Sequence, residues 1–110
     1  MEKLDFATLG KQMLDALKGS FKKDWAEVKP YAEKETRAFA ENLKLIALLK
    51  LEGKIDEERA RLHIDIQKNS MRIVFLTIEG LGILAVENAI NAAIDVVRNT
   101  VNTALGWAIL

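Results

Sequence analysis

From Ile55 to Ala108 the sequence keeps one unbroken 4-3 stepping of seam positions: Ile55, Arg59, Leu62, Ile66, Asn69, Ile73, Leu76, Gly80, Ile83, Glu87, Ile90, Ile94, Val97, Val101, Ala104 and Ala108. Twelve of the sixteen are apolar and no proline interrupts them, so the spacing predicts one long helix with a coiled-coil-like seam. Such a helix would run about 80 Å at roughly 1.5 Å per residue, beyond the width of a compact domain of this size. A helix of that kind requires partners to cover its apolar surface.

Charge is distributed to match. The net charge is zero, with sixteen basic and sixteen acidic residues, so the composition does not fit a protein that coats nucleic acid or is steered onto an acidic membrane. Residues 71–110 carry only Arg72, Glu79, Glu87, Asp95 and Arg98, while the other charges fall within residues 1–70. The chain has no cysteine, which excludes disulfides and thiol chemistry. Met1-Glu2-Lys3-Leu4-Asp5-Phe6 places charge where a secretory signal needs its apolar run. The uncharged apolar stretches fall short of the ~20 residues needed to cross a bilayer. The expected location is cytoplasmic.

Two places punctuate the chain. In Glu52-Gly53-Lys54-Ile55-Asp56-Glu57-Glu58, Gly53 can take the left-handed conformation that ends a helix, and Asp56 can cap the next, with two acids favoured by its dipole. Lys29-Pro30 predicts a kink or break in the first limb, and Gly19-Ser20 is a weaker third candidate. Because Gly53 lies near the middle, the expected fold is all-α: a single domain over residues 1–110, built as a long antiparallel helical hairpin. Its limbs are a charged amphipathic segment, 1–52, and a long helix, 55–110, with an apolar C-terminal half. Hairpins of this kind are expected to assemble into an oligomeric helical bundle.

Within the apolar half a narrow polar stripe survives: Asn88, Asn91, Asp95, Arg98 and Asn102. It reads either as a solvent-facing stripe with an Asp95–Arg98 ion pair, as a buried network that sets register, or as a polar channel lining. The expected oligomer interface is Ile83, Ile90, Ile94, Val97 and Val101, with Asn91, Asp95 and Arg98 fixing its alignment. Glu79 and Glu87 are carboxylates in apolar surroundings, and hairpin geometry about Gly53 points Glu87 at Lys22 and Lys23 and Glu79 at the segment from Glu27 to Lys29. Gly80 and Gly82 fit either a close helix approach or a kink or break in the long helix. Trp25 and Trp107 read as core or interface anchors.

No catalytic constellation emerges. The single histidine, His63, has Ala60 rather than a glutamate three residues before it, so the Glu-x-x-His pattern of a di-metal bundle is missing. No phosphate-binding glycine loop and no basic stripe with interleaved aromatics occurs. The expected protein is non-enzymatic and self-assembling, structural or adaptor-like, without cofactor, metal, nucleic acid or small-molecule substrate. The alternative is a membrane-active or lipid-binding protein that lays residues 71–110 into a bilayer.

Overall fold

Helix α1 (Phe6–Phe21) starts on a side chain: Asp5 at its N-cap accepts hydrogen bonds from the Thr8 N–H (3.2 Å) and the Thr8 hydroxyl (2.7 Å), satisfying a donor that the first turn leaves orphaned. Its buried residues, Leu9, Met13, Leu17 and Phe21, recur every four positions on one face. The computed structural model of the chain describes residues 4–110. The charged start read above for a signal sequence lies in part, at residues 1–3, outside the described residues.

The first limb breaks earlier than Pro30 suggests. A 3₁₀ turn at Lys22–Asp24 separates α1 from α2 (Trp25–Leu51), and Pro30 sits inside α2, close to its start. As the sixth residue of α2, Pro30 lies past the first turn and removes the N–H that would bond to the Ala26 carbonyl, yet the helix continues through it. The weaker signal, Gly19-Ser20, lies beside the actual break. There the chain reverses, so that Leu9 to Phe21 and Val28 to Ile46 face the same core. Gly10 marks the close approach of the two helices, since a Cβ built on it would stand 3.5 Å from the Ala40 Cβ.

The central turn follows its sequence signals. Gly53 has φ 69°, its N–H bonds to the Lys50 carbonyl (3.0 Å), and the Lys54 N–H reaches the Leu49 carbonyl (2.8 Å), the paired bonds of a Schellman ending. Asp56 then caps α3 (Glu57–Leu76) by accepting from the Arg59 N–H at 2.8 Å.

The long helix expected over residues 55–110 is two helices. α3 ends at Leu76, the segment from Thr77 to Gly82 turns, and α4 (Ile83–Leu105) runs back. Gly80 causes this with a φ of 92°, a conformation that costs other residues about 1–2 kcal/mol. No atom lies within 4 Å of a Cβ built on Gly80 or Gly82, so these glycines serve chain reversal and not close helix packing. Replacing Gly80 with alanine is therefore expected to lower stability by about 1 kcal/mol. Gly19→Ala, in open space within α1, is expected to raise it by about 0.5–1 kcal/mol. Urea midpoints of the two variants should move in opposite directions.

The chain thus folds into four helices. α1 packs on α2 and α4, and α3 packs on the same two, a cyclic arrangement that leaves α1 and α3 on one diagonal. Phe21 and Phe75 meet across that diagonal, edge to face, with ring centroids 5.3 Å apart. The molecule measures 43 × 22 × 18 Å, about half the length of the helix the seam predicts. The second folding has a plain physical cause: it buries the apolar residues of α4 within their own chain, whereas an open hairpin leaves them in water.

The segment after α4 is tied down by three elements. Gly106, with φ 70°, ends the helix, and the Asn102 carboxamide oxygen accepts from the N–H groups of Ile109 and Leu110, both at 3.1 Å. Lys50 of α2 donates to the Leu105 carbonyl and lies 4.7 Å from the centroid of the Trp107 ring. Arg61 of α3 donates to the Ala108 carbonyl at 3.1 Å. Ile109 is buried. Trp107 is partly buried against the core, as is Trp25.

Candidate functional site

On both sides of the polar turn at residues 67–70, α3 carries apolar residues on two opposite faces. Ala60, Ile64, Met71 and Phe75 point into the core. Two residues further on in several turns, and so about 200° around the helix, stand Leu62, Ile66, Ile73 and Leu76, which are 53%, 68%, 64% and 38% exposed. Asn69 lies among them and is exposed. These five positions are the first part of the 4-3 seam. In the single chain all five are exposed.

The later part of the same seam faces the other way. Ile90, Ile94, Val97 and Val101 are inside the chain's own core, with exposures of 2% or less. Four of the five apolar residues expected at an oligomer interface are therefore spent on folding, and only Ile83 is exposed. The reversal at Thr77–Gly82 explains the exchange, because it breaks the rotational phase that would have kept all seam positions on one side of a continuous helix. The polar members of the expected interface, Asn91, Asp95 and Arg98, are exposed. Asp95 and Arg98 form an ion pair with each other at 2.6 Å, and both side chains are open to solvent. Asn88 is exposed, and Asn102 holds the C-terminal segment.

Glu87 meets neither Lys22 nor Lys23. Because α4 returns along α3, its carboxylate pairs with the Arg72 guanidinium, which donates through Nε and, at 3.2 Å, through Nη2. The hydrogen bond from Arg72 holds the Glu87 carboxyl below its ordinary pKa, with smaller help from the charges of Arg72 and Lys68 against desolvation. The remaining Arg72 nitrogen, Nη1, donates to the Asn69 side-chain oxygen. A relay Glu87–Arg72–Asn69 thus runs from α4 to the centre of the exposed seam. Glu79 is exposed in the turn.

A carboxyl with a lowered folded pKa binds protons less readily in the native state than in the unfolded chain. The pair's contribution is then fully present above the unfolded value of about 4.3 and is lost as pH falls through the lowered folded value. Glu87→Gln is expected to shrink the difference between urea midpoints measured at neutral pH and near pH 3. Asp5, whose carboxyl is lowered by its hydrogen bonds from Thr8, contributes with the same sign.

Among the described residues no three His, Cys, Asp or Glu side chains stand close enough to hold a metal ion. His63 is partly exposed, and its backbone carbonyl accepts from the Asn42 amide at 3.3 Å. Glu35 of α2 is buried, and its Oε1 has no hydrogen-bond partner among the described residues. A cleft of about 430 Å³ lies between α1 and α2, with Lys11, Glu33, Arg37, Glu41 and Lys44 around Phe6, Leu14 and Ala40. Those five charged side chains are exposed, so water screens the groups that would have to polarise a substrate. No helix among the described residues is long and apolar enough to cross a membrane. No protein family, curated protein or solved structure matches the chain.

Proposed function

We propose that this chain is a non-enzymatic, self-assembling α-helical protein of structural or adaptor type, acting through an exposed apolar face rather than a reactive site. The observation that carries this reading is the stripe Leu62, Ile66, Ile73 and Leu76: four large aliphatic side chains aligned on one side of a helix whose other side is already packed. Leu45 and Leu48 of α2, 44% and 53% exposed, extend the apolar surface beside it. The hydrogen bond from Asn42 to the His63 carbonyl sets that part of α2 along the N-terminal half of α3. Scattered exposed leucines are ordinary on monomers, whereas an aligned set approaching several hundred Å² marks a contact surface. The association assigned by sequence to the C-terminal helix belongs, in this reading, to α3.

A lipid-facing role is the second reading. Ile83 and Leu84, exposed at the start of α4 after the Gly80 turn, favour it. With the apolar side of α4 packed inside, laying residues 71–110 into a bilayer requires the bundle to open. Measuring the mass in solution with and without lipid vesicles separates the two. Self-association that vesicles leave unchanged supports the first reading, and transfer of a monomeric chain to vesicles supports the second.

A further inference from the structure

We infer that the exposed face of α3 takes a second copy of this chain, with the two α3 helices parallel and in register, so that Asn69 faces the partner's Asn69. This rests on the self-assembly reading above and adds to it the partner's position and polarity. The seam assigns Ile66 and Ile73 to a positions and Leu62, Asn69 and Leu76 to d positions of a heptad. β-Branched residues at a with leucine at d are the combination that favours two parallel strands.

Asn69 decides the polarity. In a parallel, in-register pair each d residue faces the same residue of the partner, so the two carboxamides meet and bond to each other. In an antiparallel pair a faces d, and Asn69 would stand against the partner's Ile66 or the partner's Ile73. Its amide would then be withdrawn from water with nothing to bond. The amide is also held ready, because Arg72, fixed by Glu87, donates to the Asn69 oxygen. That oxygen keeps a second lone pair and the nitrogen keeps its donors for the partner.

Flanking charges allow the arrangement. Across a parallel pair Glu58 lies opposite the partner's His63, Asp65 opposite the partner's Ser70 and Arg72 opposite the partner's Thr77, with no like charges facing at these positions. Arg59, the next a position toward the helix start, faces the partner's Arg59; it is exposed, so water screens this one like-charge pair, and it marks where the apolar seam ends. Two copies of the stripe with Leu45 and Leu48 remove on the order of 1,000 Å² from water, the lower bound for a specific interface. The helices are already ordered by the bundle, so a two-heptad seam does not have to drive helix formation.

Since the chain has no cysteine, single substitutions read the geometry directly. Leu62→Cys and Leu76→Cys, at the two ends of the stripe, are oxidised in a glutathione buffer separately and as an equal mixture. Thr100→Cys, exposed on α4, is the collision control, and circular dichroism confirms that each variant is folded. The parallel arrangement predicts that each seam variant alone gives disulfide dimer at least tenfold faster than the control. It also predicts that the mixture yields no excess of the mixed dimer, in which one variant is cross-linked to the other. In an antiparallel pair, where a faces d, Leu62 and Leu76 lie opposite neither their own copies nor each other, so neither variant alone outpaces the control, and that result overturns the inference. Sedimentation of the reduced variants separates the levels: dimers without the seam cross-links sink the polarity alone, and monomers throughout sink the self-assembly reading with it.

Discussion

Ile90→Asp is expected to abolish the fold itself. Ile90 has no exposure and lies in the core with Ile94, Val97 and Val101, and aspartate there exchanges apolar packing for a charge with no partner. Losing a buried large aliphatic side chain costs about 2–5 kcal/mol by truncation alone. The added penalty of an unpaired buried charge brings the loss into the range of the whole stability of such a domain, about 5–15 kcal/mol. Circular dichroism should show loss of most helical signal, or a melt without a cooperative transition. A variant with parental helicity and a sharp melt would show that Ile90 does not sit in the core of the single chain.

Ile73→Asp should do the reverse. The side chain it replaces is 64% exposed, so the aspartate stays hydrated and the monomer fold is retained to within about 0.5 kcal/mol, as for surface substitutions in general. In the associated state it would place two carboxylates face to face in the middle of an apolar seam. That cost of several kcal/mol is enough to raise the dissociation constant by two orders of magnitude or more. Light scattering after gel filtration should find a folded monomer at concentrations where the parent is associated. Unchanged association would mean that α3 is not the contact surface.

The opposite fates of these two isoleucines show how far the sequence can be read. Periodicity reveals that Ile73 and Ile90 occupy equivalent places on one seam, and it correctly makes both segments helical. It does not reveal which way a seam faces, and the reversal at Gly80 sends one half outward and the other inward. The Gly53 and Asp56 signals were legible because they act locally, through a left-handed residue followed by a capping side chain. Gly80 was harder to weigh, since a glycine on a seam serves close packing as well as chain reversal. Pro30 looked the stronger breaker and was absorbed near the start of α2, while the weaker Gly19-Ser20 lay beside the real turn. One further signal was available: Ala60, Ile64, Met71 and Phe75 form a second stripe opposite the first. A helix with two apolar sides has one to spare after it joins a core.

The polar stripe on α4 illustrates the same limit. Asn91, Asp95 and Arg98 have spacing suited to a buried network, yet they are exposed, with Asp95 and Arg98 paired in solvent. In contrast, the Glu87–Arg72–Asn69 relay joins residues from two helices and depends on how α4 returns along α3. No spacing along a single helix encodes it.

Whether α3 holds two chains together is decided by sedimentation equilibrium of the unmodified chain from about one to several hundred micromolar, since an interface at the lower bound of specific areas is expected to be weak. The predicted result is a reversible shift from the 12.3 kDa mass of one chain to a limiting mass of twice that value. A single chain's mass across the whole range would contradict the account, as would a limiting mass beyond that of a dimer.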